Sequence, residues 1–326
     1  MKIKKLMNNF LQDYLKQNKI EFSDWNLNVN NQEGFGDYSS NIALKLTNML
    51  KKAPMDIAKN IANHPNKSKN VFTLSASKPG FVNFHVSDDY YLEILKQIIN
   101  ESENFGKKKK LNRSANVEFV SSNPTGPLTV GHGRQAILGD MVSNILTWSG
   151  YDVTREYYYN DAGKQMRVLA ESCYSKYAQK IGKDVEMPEN GYVGTYLDEI
   201  AEKIINKYGK NLKSDDPIFR DFTEKEIFSN IKNTLDSIGI KFDVFTKEGT
   251  FYKNGAIDNV LKILKEKNLS YEKDGAIWFK TSSLNKKEDK VLVKSTGEPT
   301  YRLPDIAYHA DKVDRGFDLI VDIFGA

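Results

Sequence analysis

From Val117 to Tyr159 the chain has few ways to fold. A short apolar run (Val117, Phe119, Val120) leads into Ser121-Ser122-Asn123-Pro124-Thr125-Gly126-Pro127-Leu128, whose Asn-Pro and Gly-Pro steps are turn signals. Thr129-Val130-Gly131-His132-Gly133-Arg134 follows. Ile137, Leu138, Met141, Val142, Ile145 and Leu146 then recur at the spacing that gathers apolar side chains on one helix face. Ser149-Gly150 supplies a helix stop, and Val153 to Tyr159 is a second extended run. Strand, long turn, helix and strand make a right-handed βαβ unit, which requires a parallel sheet. Its turn lies at the carboxyl end of the first strand, where the N–H groups of a helix start attract anions.

The rest of the chain arranges itself around this unit. At ~100–200 residues per domain, 326 residues predict two domains. Residues 1–105 read as a separate α+β domain. Ile3, Leu6, Met7, Phe10, Leu11, Tyr14 and Leu15 mark an amphipathic first helix, and Trp25, Leu27 and Val29 alternate as a half-buried strand does. Helices are predicted over Ile42 to Leu50 and from Pro54 to before His64. Val82, Phe84 and Val86 mark a further strand, and Ser87-Asp88-Asp89 offers an N-cap to the next helix. Residues 106–116 contain Lys107-Lys108-Lys109-Lys110, a basic linker that fits either a solvated segment or a phosphate-backbone contact. Residues 117–326 form the second domain, interrupted over about 161–239 by a helix-rich insertion. Asp274-Gly275 predicts a hairpin, Val291 to Val293 a strand, and Phe317 to Ile323 a final sheet strand broken by Asp318 and Asp322. An α/β sheet rarely stops where this chain does, so a fragment is expected. The fold class expected is α/β, an N-terminal α+β domain followed by a Rossmann-like parallel-sheet domain.

Composition excludes several chemistries. One cysteine, Cys173, rules out a disulfide framework and a cysteine-based metal site, and the four histidines have no metal-ligand spacing. No stretch reaches the ~18 apolar residues of a membrane span, and Met1-Lys2-Ile3-Lys4-Lys5 is followed by no apolar core, so no membrane partner and a cytoplasmic location are expected. A net charge of +4 permits a nucleic-acid partner without arguing for one.

Gly131-His132-Gly133-Arg134-Gln135-Ala136 fits the dinucleotide pattern G-x-G-x-x-G/A, with Glu156 near the place of a ribose-binding acid. A nucleotide-dependent oxidoreductase is therefore one reading. The long turn separating strand from Gly131 suits a second one better, a nucleoside triphosphate held for attack at its α-phosphate, with His132 stabilising charge on phosphate oxygens.

Those residues resemble the nucleotide signature of the class I aminoacyl-tRNA synthetases, His-Ile-Gly-His or a variant. The wider stretch, Glu118-Phe119 followed by Asn123-Pro124-Thr125-Gly126-Pro127-Leu128 and Gly131-His132-Gly133-Arg134, resembles the arginyl-tRNA synthetase family. So do Gly36-Asp37-Tyr38, Lys78-Pro79-Gly80-Phe81-Val82-Asn83-Phe84, Tyr158-Tyr159-Asn160-Asp161-Ala162-Gly163-Lys164-Gln165-Met166, Tyr271-Glu272-Lys273-Asp274-Gly275-Ala276, Lys294-Ser295-Thr296-Gly297 and Pro304-Asp305-Ile306-Ala307-Tyr308-His309.

The resemblance implies activation of arginine by ATP to arginyl-adenylate and its transfer to the 3′ end of tRNA(Arg), by a monomer. Mg2+ would accompany the ATP phosphates, with no protein metal site. It implies that Asn123, Pro124, Thr125, Gly126, Pro127, Leu128, Thr129, Val130, Gly131 and His132 bind ATP, with His132 and Thr129 catalytic. Thr129 stands where the signature has its first histidine. Arginine would be held by Glu118, Asp305 and the Tyr301 hydroxyl at its guanidinium, which needs carboxylates, and by Ser121 and Asn123 at its backbone groups. Residues 1–105 would contact tRNA. The Lys-Met-Ser-Lys-Ser-type loop and the anticodon-binding domain would lie beyond Ala326, leaving the fragment inactive alone. A non-catalytic RNA-binding fragment of a synthetase is the remaining alternative.

Overall fold

The computed structural model describes residues 2–161 and 163–324. Ala162, Gly325 and Ala326, part of the features named above, lie outside the described residues. Two compact units divide the chain, Met1–Gly106 and Lys107–Ala326.

In the first unit α1 (Lys2–Gln17), β1 (Leu27–Val29), β2 (Tyr38–Ser40), α2 (Ile42–Leu50), α3 (Pro54–Ala62), β3 (Phe72–Ser77), β4 (Phe81–Val86) and α4 (Asp88–Glu101) follow in order. The strands form an antiparallel sheet ordered β1-β2-β4-β3. Met7, Phe10, Leu11, Tyr14 and Leu15 of α1 pack with Ile42, Leu46, Ile57, Ile61, Phe72 and Phe84 into one core. The Ser87 hydroxyl accepts the Tyr90 N–H at 3.2 Å and caps α4. Two glycines have steric reasons. At Gly36 (φ +75°) a Cβ would stand 2.6 Å from the Phe84 carbonyl oxygen, and at Gly80 (φ +152°) 2.7 Å from Pro54 Cβ.

The second unit begins with β5 (Ser114–Glu118), α5 (Val130–Trp148) and β6 (Asp152–Tyr159). Three helices follow, α6 (Gly163–Lys180), α7 (Thr195–Tyr208) and α8 (Ile218–Ser237), then β7 (Val244–Lys247), α9 (Glu248–Lys253) and α10 (Ala256–Glu266). β8 (Ser270–Lys273), β9 (Ala276–Phe279) and β10 (Lys290–Val293) make a small antiparallel sheet, with Asp274 and Gly275 both at positive φ in the β8–β9 turn. α11 (Arg302–Asp314) and β11 (Leu319–Asp322) complete the unit. The main sheet is parallel throughout and ordered β11-β5-β6-β7.

Side chains alternate across this sheet. Val117 and Phe119 face the core shared with α6, α7 and α8, whereas Asn116 and Glu118 face α11. α5 corrects an expectation. Ile137, Leu138, Met141 and Ile145 are 60%, 50%, 52% and 59% exposed, and the buried stripe is Ala136, Gly139 and Ser143. The reason is proximity: a Cβ on Gly139 would stand 2.1 Å from Phe119 Cγ, so the closest approach admits no side chain there, while Val142 and Leu146 pack against the core from its flank and stay partly exposed. Among the described residues no helix is long and apolar enough to cross a membrane.

Candidate active site

At the carboxyl end of β5 the backbone reverses sharply. The Ser121 N–H donates to the Phe119 carbonyl at 2.9 Å, closing a γ-turn whose central residue, Val120, has φ +66°; Ser121 itself has φ +43°. A β-branched residue in this conformation is strained by about 1–3 kcal/mol, a level that concentrates at functional sites. The turn swings the Ser121 hydroxyl back to donate to Glu118 Oε1 at 2.8 Å, and the Ser121 hydroxyl oxygen accepts the Tyr158 N–H at 3.1 Å.

The long turn is then fastened from outside. The Tyr157 hydroxyl donates to the Ser122 carbonyl at 2.8 Å, and the Tyr196 hydroxyl of α7 donates to the Thr125 carbonyl at 2.6 Å. The Asn123 amide donates to Gln165 Oε1 at 2.7 Å and accepts the Asn160 N–H at 3.0 Å.

Thr129 is the N-cap residue of α5. Its backbone N–H donates to His132 Nδ1 at 3.0 Å, and its hydroxyl lies 3.2 Å from the same nitrogen. A backbone N–H can only donate, so Nδ1 carries the lone pair and Nε2 the proton in the neutral ring. His132 thus offers a hydrogen-bond donor beside the free N–H groups of the helix start, which suits a phosphate oxygen. A Cβ at Gly133 would meet nothing within 4 Å, so the space over this turn is open.

A cleft of about 760 Å³ joins the two features, and Glu118, Val120, Ser121, Thr129, Gly131, His132, Arg134, Tyr158 and Asp305 are among its lining residues. Of the residues singled out in the sequence, it brings together Glu118, Ser121, Thr129, Gly131, His132 and Asp305. Asn123, Pro124, Thr125, Gly126, Pro127, Leu128 and Val130 are not in its lining, and neither is Tyr301, which is 72% exposed with the Arg302 guanidinium 4.7 Å from its ring centre.

Asp305 brings a carboxylate to the lining, and Glu248, which does not line the cleft, lies close behind it. Tyr158 stacks on Tyr308 at 4.2 Å and donates its hydroxyl to Glu248 Oε2 at 2.8 Å. Burial, with the like charges of Asp161 and Asp305 nearby, pushes the Glu248 carboxyl above its usual range. Among the described residues no lysine or arginine forms a salt bridge with Glu248 or Asp305; Asp305 has only the His309 ring, 3.5 Å away. Glu248 was not among the residues singled out in the sequence, since it belongs to no motif there; it is the first residue of α9.

Beneath the cleft lies a row of charges. Asp322 of β11, Glu118 of β5 and Glu156 of β6 are register partners on three adjacent strands and point to one face. α11 presents His309, Lys312 and Arg315, each three residues from the next, to that row. His309 Nε2 is 3.1 Å from Asp322, Lys312 donates to both Asp322 and Glu118 at 2.5 Å, and Arg315 donates to both oxygens of Glu156 at 2.8 and 3.1 Å. Glu156 also accepts from Asn116 and Thr246, each at 2.5 Å, and is fully buried. It is therefore unavailable to a ribose, which removes the acid that the dinucleotide reading required.

The hydrogen bond to Asp322 raises His309 to about 9. Against an unfolded value near 6.5, the stability contributed by protonated His309 is complete below ~6.5 and lost as pH rises through the folded value. The melting temperature is expected to fall between pH 7 and 9.5, and His309→Gln to flatten that fall. Equal slopes in wild type and variant, read by circular dichroism, would refute this.

A parallel sheet with a helix start and an acidic side chain lining one cleft at the carboxyl end of its strands is the architecture of an α/β domain of the Rossmann-like class. The chain belongs to the class I tRNA synthetase family: residues 94–323 match the family model described as tRNA synthetases class I (R), catalytic domain, and residues 1–86 match the arginyl tRNA synthetase N terminal domain. An arginine--tRNA ligase of Desulfotalea psychrophila is 46% identical over 298 residues, covering 90% of this chain and 54% of that protein. One from Salinibacter ruber is 44% identical over 316 residues, covering 89% and 56%. The structure of the Plasmodium falciparum arginyl-tRNA synthetase matches the fold with a TM-score of 0.60 at 22% identity, over 98% of this chain and 58% of that one. The chain thus spans about half the length of the curated relatives it matches.

Proposed function

We propose that this chain carries the amino-acid activation site of an arginine--tRNA ligase, which joins arginine to ATP as arginyl-adenylate and passes the arginyl group to the 3′ end of tRNA(Arg). The observation that carries the reading is the cleft's polarity. Asp305, which has no lysine or arginine partner among the described residues, lines the cleft with Glu248 close behind it, and a helix start with a donor imidazole lines the same cleft. A guanidinium is always charged and presents a fork of donors, so it matches the first; triphosphate oxygens match the second.

In this reading the arginine carboxylate attacks the α-phosphorus and pyrophosphate leaves. His132 Nε2–H and the α5 N–H groups stabilise charge on the phosphate oxygens, and Thr129 keeps the His132 ring in the donor tautomer. Mg2+ would travel with the ATP phosphates, held by them and by water. Asp305 receives the guanidinium, and Glu248 behind it adds to the negative field through Tyr158. Glu118, one oxygen held by Ser121 and the other by Lys312, lines the same cleft as a fixed anion. The first unit is the part assigned to tRNA, and a monomer acting in the cytoplasm completes the proposal.

Asp305→Asn tests it by calorimetric titration. Arginine binding is expected to weaken about tenfold or more, ~1.4 kcal/mol, with ATP binding within twofold. Equal loss of both ligands would remove Asp305 from the guanidinium site.

A further inference from the structure

We propose that Lys312 is a positioning residue for the amino-acid end of the cleft: its ammonium, clamped between Glu118 and Asp322, holds Glu118 as a fixed anion and thereby sets the affinity for arginine. This inference rests on the reading that the cleft takes arginine.

Lys312 is 0% exposed and does not line the cleft, so it acts only through what it touches. A buried ammonium is costly unless closely paired. Here two carboxylate oxygens lie at 2.5 Å and the Tyr308 ring centre at 4.3 Å. Of the three acids in the row, only Glu118 lines the cleft, so it alone can convey the state of the row to a ligand. It is fixed from both sides, by Lys312 on Oε2 and by the Ser121 hydroxyl on Oε1. The groups facing it are Lys312 and Tyr308 from α11, Asp322 from β11 with its partner His309, and Glu156 with its partner Arg315 across β6.

Burial pushes the Glu118 carboxyl up, and the Lys312 ammonium pulls against it. Without the ammonium, Asp322 keeps its His309 partner, while the buried Glu118 carboxyl loses its cation, stands beside a like charge and holds a proton more readily. Arginine binding then has to expel that proton, and its affinity acquires a pH dependence that a purely structural lysine would not confer.

The test uses Lys312→Met, and Lys312→Met with Asp322→Asn, which removes the excess carboxylate in case the single variant does not fold. Arginine and ATP are titrated separately at about pH 6, 7 and 8, with folding followed by circular dichroism. Arginine affinity is expected to fall about tenfold at pH 7 in either folded variant, with ATP affinity within twofold; in the single variant the loss deepens toward pH 6 while wild type stays flat. A folded variant that binds arginine as wild type does, or more tightly, overturns the proposal, and so does a pH-independent loss shared equally by arginine and ATP. A wild-type chain that binds no arginine overturns the functional reading along with it, whereas arginine binding by wild type with an unaffected variant overturns the clamp alone.

Discussion

Arg315→Met is expected to destabilise the chain by about 3–5 kcal/mol, out of a total that for a domain is only ~5–15 kcal/mol. Glu156 has no exposure, and Arg315 is the only basic side chain among the described residues that forms a salt bridge with it. Methionine fills the volume but leaves a buried carboxylate with only the Asn116 and Thr246 donors. The cost is expected toward the lower end, because the Arg315 side chain is itself 29% exposed and water can reach the site. A second substitution separates lost charge from lost packing. With Glu156→Gln added, no charge remains to be paired. Asn116 Oδ1, which has no hydrogen-bond partner among the described residues, could accept from the new amide once the Asn116 side chain flips. The double variant is expected within about 1–2 kcal/mol of wild type by urea unfolding. If the double variant is as unstable as the single one, packing rather than charge is the cause.

Gly139→Ala should have the next largest effect, opposite in sign to helix propensity. In an exposed helix interior alanine would gain about 1 kcal/mol over glycine. Here the added Cβ would lie 2.1 Å from Phe119 Cγ and 2.4 Å from Phe119 Cβ. Phe119 is fully buried, with the tilted Phe242 ring centred 4.3 Å from its own, and cannot swing aside. Overpacking of this kind costs about 1–3 kcal/mol or more, so a net loss of ~2 kcal/mol is expected, together with weaker binding of both arginine and ATP as α5 and His132 lift away from β5. Shortening Phe119 to leucine should not rescue the variant, since the Cβ itself is in the way. A rise in melting temperature for Gly139→Ala would show that the helix can retreat without cost.

The two variants mark where a sequence is legible. The Asp274-Gly275 hairpin, the Ser87 cap and the βαβ order of β5, α5 and β6 depend on chemistry within a few residues, and pattern reading reaches them. The buried face of α5 was read from its large apolar residues, whereas the fully buried positions are Ala136, Gly139 and Ser143, and of the large residues only Val142 and Leu146 pack against the core. Periodicity measures hydrophobicity and is blind to how near the neighbouring layer stands. The charged row is harder still. Lys312 and Glu118 are 194 positions apart, and nothing local marks either as a partner of the other. Asp322 showed only as an interruption in an apolar strand, and Glu248 belongs to no motif legible in the sequence. In the candidate site, the cleft gathers Glu118, Ser121, Thr129, Gly131, His132 and Asp305, while Asn123 and Tyr301, taken from a linear motif, point to other partners or to solvent.

The row of pairs under the cleft also works as a registration key. His309, Lys312 and Arg315 meet acids on β11, β5 and β6 only while α11 keeps one rotation and one height against the sheet. A single residue inserted between His309 and Arg315 would turn the later cations by about 100° and part them from their acids. Drift at these positions is therefore constrained to move in matched steps, an acid on a strand together with a base on the helix, even where no ligand ever touches either one.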